Sequence, residues 1–338
     1  MSIRLRFVCT AVALALAAPL AAQPSHPHPA KSSAWFARTW VESFQSRQGP
    51  EQTERATKTF KVGPNGSLDV SSVSGDVVVS EVAGDTMTVE AVKRVRSRTP
   101  EGAKEQFANT QLVMSQSGNR VEVKINYIGQ RNHASVDFTV TAPAGTTVNA
   151  RSVSGNVRVP GIKGEVRAES VSGDVTASGT PDLALAKSGS GDIDVSGVSG
   201  QDELTAGSIS GNVTLRGIKA RVVNADSVSG EIQLFDVACE RATVKSISGE
   251  VDYTGPIAKT GRYELKSHSG DVRMTLSADI GFELEAQSFS GNVRSDLPIT
   301  TRAGETIGRR RGLRGTHGDG GALLILNTFS GDITLAKR

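Results

Sequence analysis

Ser170-Val171-Ser172-Gly173-Asp174-Val175 is one of ten copies of a six-residue phrase, Ser/Thr-x-Ser-Gly-(Asp/Asn/Glu)-(Val/Ile), spread between Ser72 and Ile333. The phrase glycines are Gly75, Gly155, Gly173, Gly191, Gly211, Gly230, Gly249, Gly270, Gly291 and Gly331. From Gly155 to Gly291 the steps are 18, 18, 20, 19, 19, 21 and 21 residues, and the last step is 40. A fixed period of this size, with one small structural unit per repeat, is the mark of a solenoid.

Aligning the copies on the glycine exposes columns. Seven residues before it stand Val148, Val166, Ala184, Leu204, Val223, Ala242, Tyr263, Leu284 and Leu324, and five before it stand alanines such as Ala150, Ala168, Ala186, Ala206 and Ala225. Two after it every copy has Val or Ile, and Val159, Val195, Leu215, Leu234 and Leu335 follow four after. Side chains of a strand alternate between its faces, so the inward set is odd before the glycine and even after it. The chain therefore turns a corner at the phrase. A second corner is expected at Gly161-Ile162, Gly197-Val198 and Gly217-Ile218, which makes each repeat two short strands and two bends. Stacking in register, at ~4.8 Å per rung, gives an all-β, parallel β-solenoid or β-helix-like array with about 18–21 residues per rung over 146–338. The rival, an antiparallel meander with a hairpin at every Ser-Gly-Asp, gives no reason for identities to repeat down the columns.

The rest of the chain is less regular. Arg4 and Arg6 followed by an apolar run from Phe7 to Leu20, ending in Ala21-Ala22, read as a signal peptide over 1–22, too short to span a bilayer comfortably. Its removal lowers the formal net charge from +3 to +1 and leaves Cys239 as the one cysteine. One thiol makes no internal disulfide, and such a charge gives no general attraction to nucleic acid or membrane. Residues 23–56 read as a leader with a short amphipathic helix, in which Phe36, Trp40 and Phe44 share one face beside Trp35. That helix covers the open end of a β-structure or docks on a membrane surface or partner.

A small β-rich module is expected over 57–145. Thr99-Pro100-Glu101 opens a helix running to about Asn109. Val121, Val123, Ile125 and Tyr127 mark one strand and Val136, Phe138 and Val140 the next, with Gly129 to Ser135 as a hairpin loop between them. An insertion at 298–321 accounts for the long last step. Its Arg302, Arg309, Arg310, Arg311 and Arg314 form the one strong local concentration of charge, either a solvated loop or a contact for an anionic ligand.

Little in the pattern points to catalysis. Asp76, Asn156, Asp174, Asp192, Asn212, Glu231, Glu250, Asp271, Asn292 and Asp332 follow the glycines as a column of oxygen donors. Glycine for its unusual φ, and Asp or Asn bonding its own backbone, account for them better than a metal does. The serines directly before the glycines, such as Ser154 and Ser172, are read as a hydroxyl ladder bonded to backbone. The five histidines have no ligand spacing, and His317-Gly318-Asp319 lacks the strand-turn-helix setting of a hydrolase loop. No catalytic residue, metal or cofactor is assigned.

The copies of Val-Ser-Gly-Asp-Val, the opening Phe60-Lys61-Val62 strand, the strand ending Thr141-Ala142-Pro143-Ala144-Gly145 and the closing Thr328-Phe329-Ser330-Gly331-Asp332-Ile333 resemble the bacterial exported β-strand-repeat family known as putative adhesins, a domain of unknown function. The resemblance begins at about Thr57. It implies a β-helix-like fold, an envelope or surface setting and no catalytic residues. The expected function is a non-enzymatic, adhesin-like scaffold, periplasmic or at the cell surface, that binds a glycan, envelope polymer or protein along its solenoid. The alternatives are a periplasmic structural or envelope-stress factor and, more remotely, a polysaccharide-active β-helix enzyme.

Overall fold

The computed structural model describes residues 49–129, 134–200, 202–277, 279–301 and 312–338. The signal peptide and the aromatic leader helix with Trp35, Phe36, Trp40 and Phe44 lie outside the described residues, as do Arg302, Arg309, Arg310 and Arg311.

Each phrase is a corner between two strands. Thr147–Ser154 precedes Gly155 and Val157–Pro160 follows it; Val166–Ser172 and Val175–Ser178 flank Gly173 in the same way. Strands before the glycine pair in parallel with one another, giving sheet I, and strands after it pair in parallel as sheet II. Val148 lies opposite Val166 and Val157 opposite Val175, so like residues stack on like residues. This is the solenoid and not the meander.

The parity holds. Val148, Ala150, Val157 and Val159 are fully enclosed between the two sheets, with the same positions of nearly every other rung. At Ala184 a bulge shifts the column: Leu183 pairs with Val166 and takes the core position, leaving Ala184 half-buried. The second corner carries Gly161 at φ +80° and Gly217 at φ +61°, a left-handed conformation that glycine adopts without steric cost. Ile162, Val198 and Ile218 close the core there. Burying a Val or Ile contributes about 1.5–3 kcal/mol each, so a thin core of small aliphatics suffices when it runs through every rung of the stack.

Chain order and spatial order part company at both ends. The strands Ala322–Ser330 and Ile333–Lys337 do not close the stack: they lie between the Gly270 rung and the Gly291 rung, paired in parallel with both. At the other end β1 (Glu51–Lys61), β2 (Ser67–Ser74), β3 (Val77–Val82), β4 (Thr86–Arg96), α1 (Pro100–Ala108), β5 (Thr110–Ser117), β6 (Arg120–Tyr127) and β7 (Ser135–Pro143) follow one another. β2 and β3 flank Gly75 and stack directly on the Gly155 rung. The stretch 57–145 thus shares the sheets and core of the repeats, and β1 begins at Glu51, inside the stretch read as leader.

The expected hairpin between β6 and β7 is not formed. β6 pairs in parallel with β2 in sheet I, and β7 with β3 in sheet II, so together they make a further rung outside Gly75. Alternating strands look alike to the sequence whether they pair with each other or with a third strand. Here Val136-Asp137-Phe138 imitates a phrase, since Ser72 Oγ donates to Val136 O at 3.3 Å and Asp137 Oδ1 accepts the Asp76 N–H at 3.0 Å.

Antiparallel strands end the array: β5 on β6, β4 on β7 and β1 on β4 at one end, and Gly312–His317 on Phe282–Ser288 at the other. β1 is mostly exposed and alternates Glu51, Glu54, Arg55, Lys58 and Lys61, charges that discourage further strand addition. α1 links β4 to β5 and starts as its sequence dictates: Thr99 Oγ1 accepts the Gly102 N–H at 3.1 Å and Pro100 occupies the first turn.

Candidate binding surface

The polar groups of the phrase are spent on holding rungs together. A Cβ added to Gly173 would collide with Gly155 O, one on Gly230 with Gly211 O and one on Gly331 with Gly270 O, and all ten phrase glycines meet a neighbouring carbonyl in this way. Only Gly75, Gly155 and Gly173 among them have positive φ. Close approach of stacked backbones, more than unusual φ, is therefore what demands glycine.

The residue after the glycine bonds the next rung and not its own backbone. Asn156 Oδ1 accepts the Asp174 N–H, Asp174 Oδ1 the Asp192 N–H and Asp192 Oδ1 the Asn212 N–H; the run continues to Glu231 and resumes from Asp271 through Asp332 to Asn292, at 2.8–3.0 Å. The hydroxyl ladder is real but sits two residues earlier than expected. Buried Ser170, Ser188 and Ser208 donate to Gly155 O, Gly173 O and Gly191 O at 2.8–2.9 Å, whereas Ser154, Ser172 and Ser190 are exposed. Facing inward, the earlier serine is the one that must be satisfied by protein.

The carboxylate ladder is interrupted at Glu231 and Glu250, one methylene too long for the role. Glu231 instead accepts from Gln233 Nε2 at 2.6 Å. Glu231, Glu250 and Asp252 come within 4.8 Å of one another, the one such group of acids among the described residues. Burial, opposed by Arg273 and reinforced by Glu231 and Asp271, holds the Asp252 carboxyl above the usual carboxylate range. Asp76 moves the other way: burial raises it, but the Asn156 N–H and the Arg158 guanidinium outweigh this and lower it.

Other singled-out residues have structural partners. Arg314 lies on Gly312–His317 with its guanidinium on Glu285 of the neighbouring strand. His317 is buried, bonded through Nδ1 to Pro298 O at 2.8 Å and stacked on Phe282. His268 stacks on Phe329 in the open. Cys239 is buried, with its thiol pushed up to about 11 chiefly by burial. Tyr253 bonds Val237 O at 2.7 Å and Tyr263 bonds Cys239 O, bracing the second corner beside it.

Two surfaces remain. The outer face of sheet II carries, rung after rung, Arg158, Thr176, Asp194, Thr214, Gln233, Asp252, Arg273, Thr334 and Arg294, a flat row of mostly short polar groups at one-rung spacing. The second surface has a plain signal in the sequence, beyond the invariant positions of the phrase: its x is Val, Ile or Phe in eight copies. Val73, Val153, Val171, Ile209, Val228, Ile247, Phe289 and Phe329 are 41–61% exposed and make up eight of the eleven exposed large apolar side chains among the described residues. They line up along the outer edge of sheet I, where Phe289 and Phe329 stack at 4.7 Å. Gly189 and Gly207 open a groove of about 600 Å³ beside this stripe, walled by Val171, Ile209, Lys187 and Asp226.

A parallel two-sheet solenoid whose repeat motif is consumed by inter-rung bonding defines the class of protein: a β-solenoid repeat protein. The chain belongs to the Toastrack family, DUF4097, whose pattern matches residues 66–336. Among solved structures it is similar to a "putative adhesin" of Bacteroides fragilis, 12% identical, over 84% of this chain and 97% of that one, with a TM-score of 0.44. It is also similar to a "putative lipid binding protein" of Parabacteroides distasonis, 14% identical, over 83% of this chain and 96% of that one, with a TM-score of 0.45. No curated protein sequence matches it. Among the described residues no helix is long and apolar enough to cross a membrane.

Proposed function

We propose that the protein is a non-enzymatic, exported, adhesin-like scaffold that holds an extended glycan, envelope polymer or protein along its solenoid. The observation that carries this is the outer face of sheet II, where short polar and mixed-charge groups such as Thr176, Asp194, Thr214 and Gln233 recur at each rung. A ligand built of like units meets a polar or charged group at every step, and many weak polar contacts on a pre-ordered face sum without ordering the protein further. The reading is non-catalytic because the buried serines and the aspartates of the phrase are committed to the backbone of neighbouring rungs.

Fractionation, protease treatment of intact cells and co-sedimentation of the purified chain with insoluble envelope material test it. Surface or envelope location, with co-sedimentation reduced several-fold by Thr176→Lys combined with Thr214→Lys, is the expected result. A chain that stays in the cytoplasm, or that sediments with no envelope fraction, contradicts it.

A further inference from the structure

We propose that the apolar stripe on the edge of sheet I is a self-association surface, through which two copies pair side by side with a two-fold axis parallel to the stack. Monomeric proteins rarely leave so many large apolar side chains contiguous, and here they are concentrated on one line rather than scattered. The stripe spans ten rungs, on the order of 45 Å at ~4.8 Å per rung. With its flanking rows it is about five residues wide, roughly 16 Å at ~3.3 Å each, so each copy offers on the order of 700 Å². That approaches the ~800 Å² per partner of a stable protein interface.

Charge selects both the occupant and its orientation. One border of the stripe is the acid ladder, with Asp174, Asp192, Glu231, Glu250 and Asp271; Oδ1 of each aspartate accepts a backbone N–H of the next rung, which leaves its second oxygen outside that ladder bond. The other border, two residues before the stripe on the same face, carries Arg151, Lys187, Lys245 and Lys266 against Glu169 and Asp226. A two-fold axis along the stack brings the acidic border of each copy against the basic border of the other; an axis across the stack sets acid column against acid column.

In the parallel arrangement equal rungs face each other. Lys187 then meets the partner's Asp192, and Lys245 the partner's Glu250. Neither lysine lies within 4.0 Å of a carboxylate among the described residues of its own chain, although Lys245 also acts on Glu264 electrostatically. Glu169 against the partner's Asp174 and Asp226 against the partner's Glu231 are the two unfavourable meetings, the first eased by Arg151, which lies 3.3 Å from Glu169. At Gly189 and Gly207 the two grooves face one another, so the pairing leaves an enclosed gap there rather than a contact.

Sedimentation velocity on the purified chain tests the association, and single cysteines test the orientation. Wild type is expected to sediment as a dimer at micromolar concentration. Val171→Lys combined with Ile209→Lys, both exposed, is expected to be monomeric with an unchanged melting temperature. In a chain carrying Cys9→Ser, with Cys239 buried, Val153→Cys and Ile247→Cys are each expected to form copy-to-copy disulfides, because equal rungs meet only about a parallel axis. A monomeric wild type, or a lysine double variant that still dimerises, overturns the proposal. Cross-linking at only one of the two cysteine positions, or at neither, overturns the parallel pairing.

Discussion

Asn156 Oδ1 accepts the backbone N–H of Asp174, 18 residues further along, at 2.8 Å. That one bond links the residue type after the phrase glycine to the pairing of whole rungs. It explains why Asp and Asn fill the column and why Glu231 and Glu250 interrupt it.

Asn156→Ala is therefore expected to lower stability by about 1 kcal/mol, the net worth of one such hydrogen bond, although the side chain lies at the surface. Glu250→Asn is expected to act in the opposite sense, by restoring an acceptor of the right length and removing one charge from the cluster with Glu231 and Asp252. Urea unfolding of both variants checks this; a stabilised Asn156→Ala chain contradicts the ladder.

Glycine is required at the corner by what lies beneath it. Gly230→Ala drives a methyl group into Gly211 O, a backbone atom that cannot step aside without parting two rungs, and is expected to cost several kcal/mol. Gly217→Ala faces open space and pays only for its left-handed φ of +61°, about 1 kcal/mol. Melting temperatures that fall equally for the two contradict the close-approach account.

Parity assigns opposite fates to neighbours. Val213 is fully buried and Thr214 points outward from sheet II. Val213→Asp places an unpaired charge in the core and is expected to destabilise by several kcal/mol, whereas Thr214→Asp is expected to stay within about 0.5 kcal/mol of wild type. Equal losses in thermal melts contradict the facing.

Acid titration has a predictable sign at Asp252. Its folded-state pKa lies above the unfolded value of 3.8, chiefly through burial, so between the two the folded chain holds a proton that the unfolded chain has lost. The group's stabilising contribution is complete below the unfolded pKa and is lost as pH rises through the folded one. Asp252→Asn is thus expected to raise stability at pH 7 and to match wild type near pH 3. A variant less stable than wild type at pH 7 contradicts the assignment.

Much of the architecture was legible in the columns. Val157, Val175 and Ile193 repeat two residues after each glycine because a parallel stack sets like on like, and Thr99-Pro100 announced α1 by capping chemistry. What the columns do not encode is which rung neighbours which, because every copy presents the same ladder groups above and below. The Gly331 rung accordingly fits between Gly270 and Gly291, and β6 with β7 fits outside Gly75 with a phrase in which Val136 stands for glycine. On the surface, the stripe with Val171 and Ile209 occupies the variable position of the phrase, so its invariant letters do not announce it. The polar row of sheet II was equally hidden, since its members share polarity and not identity.

The threading of the last rung is the most direct test of the stack. Lys266 and Asn327 are outward-facing, half-buried register partners, while Lys266 and Gln287, neighbours in chain order, are separated by the inserted rung. Lys266→Cys with Asn327→Cys, at adjacent-rung spacing of ~4.8 Å, lies within reach of a disulfide. Lys266→Cys with Gln287→Cys, two rungs or ~9.6 Å apart, lies beyond it. Oxidation of the two double variants, read by peptide mass, is expected to give an intrachain disulfide in the first and none in the second; a disulfide in the second and none in the first contradicts the fold described.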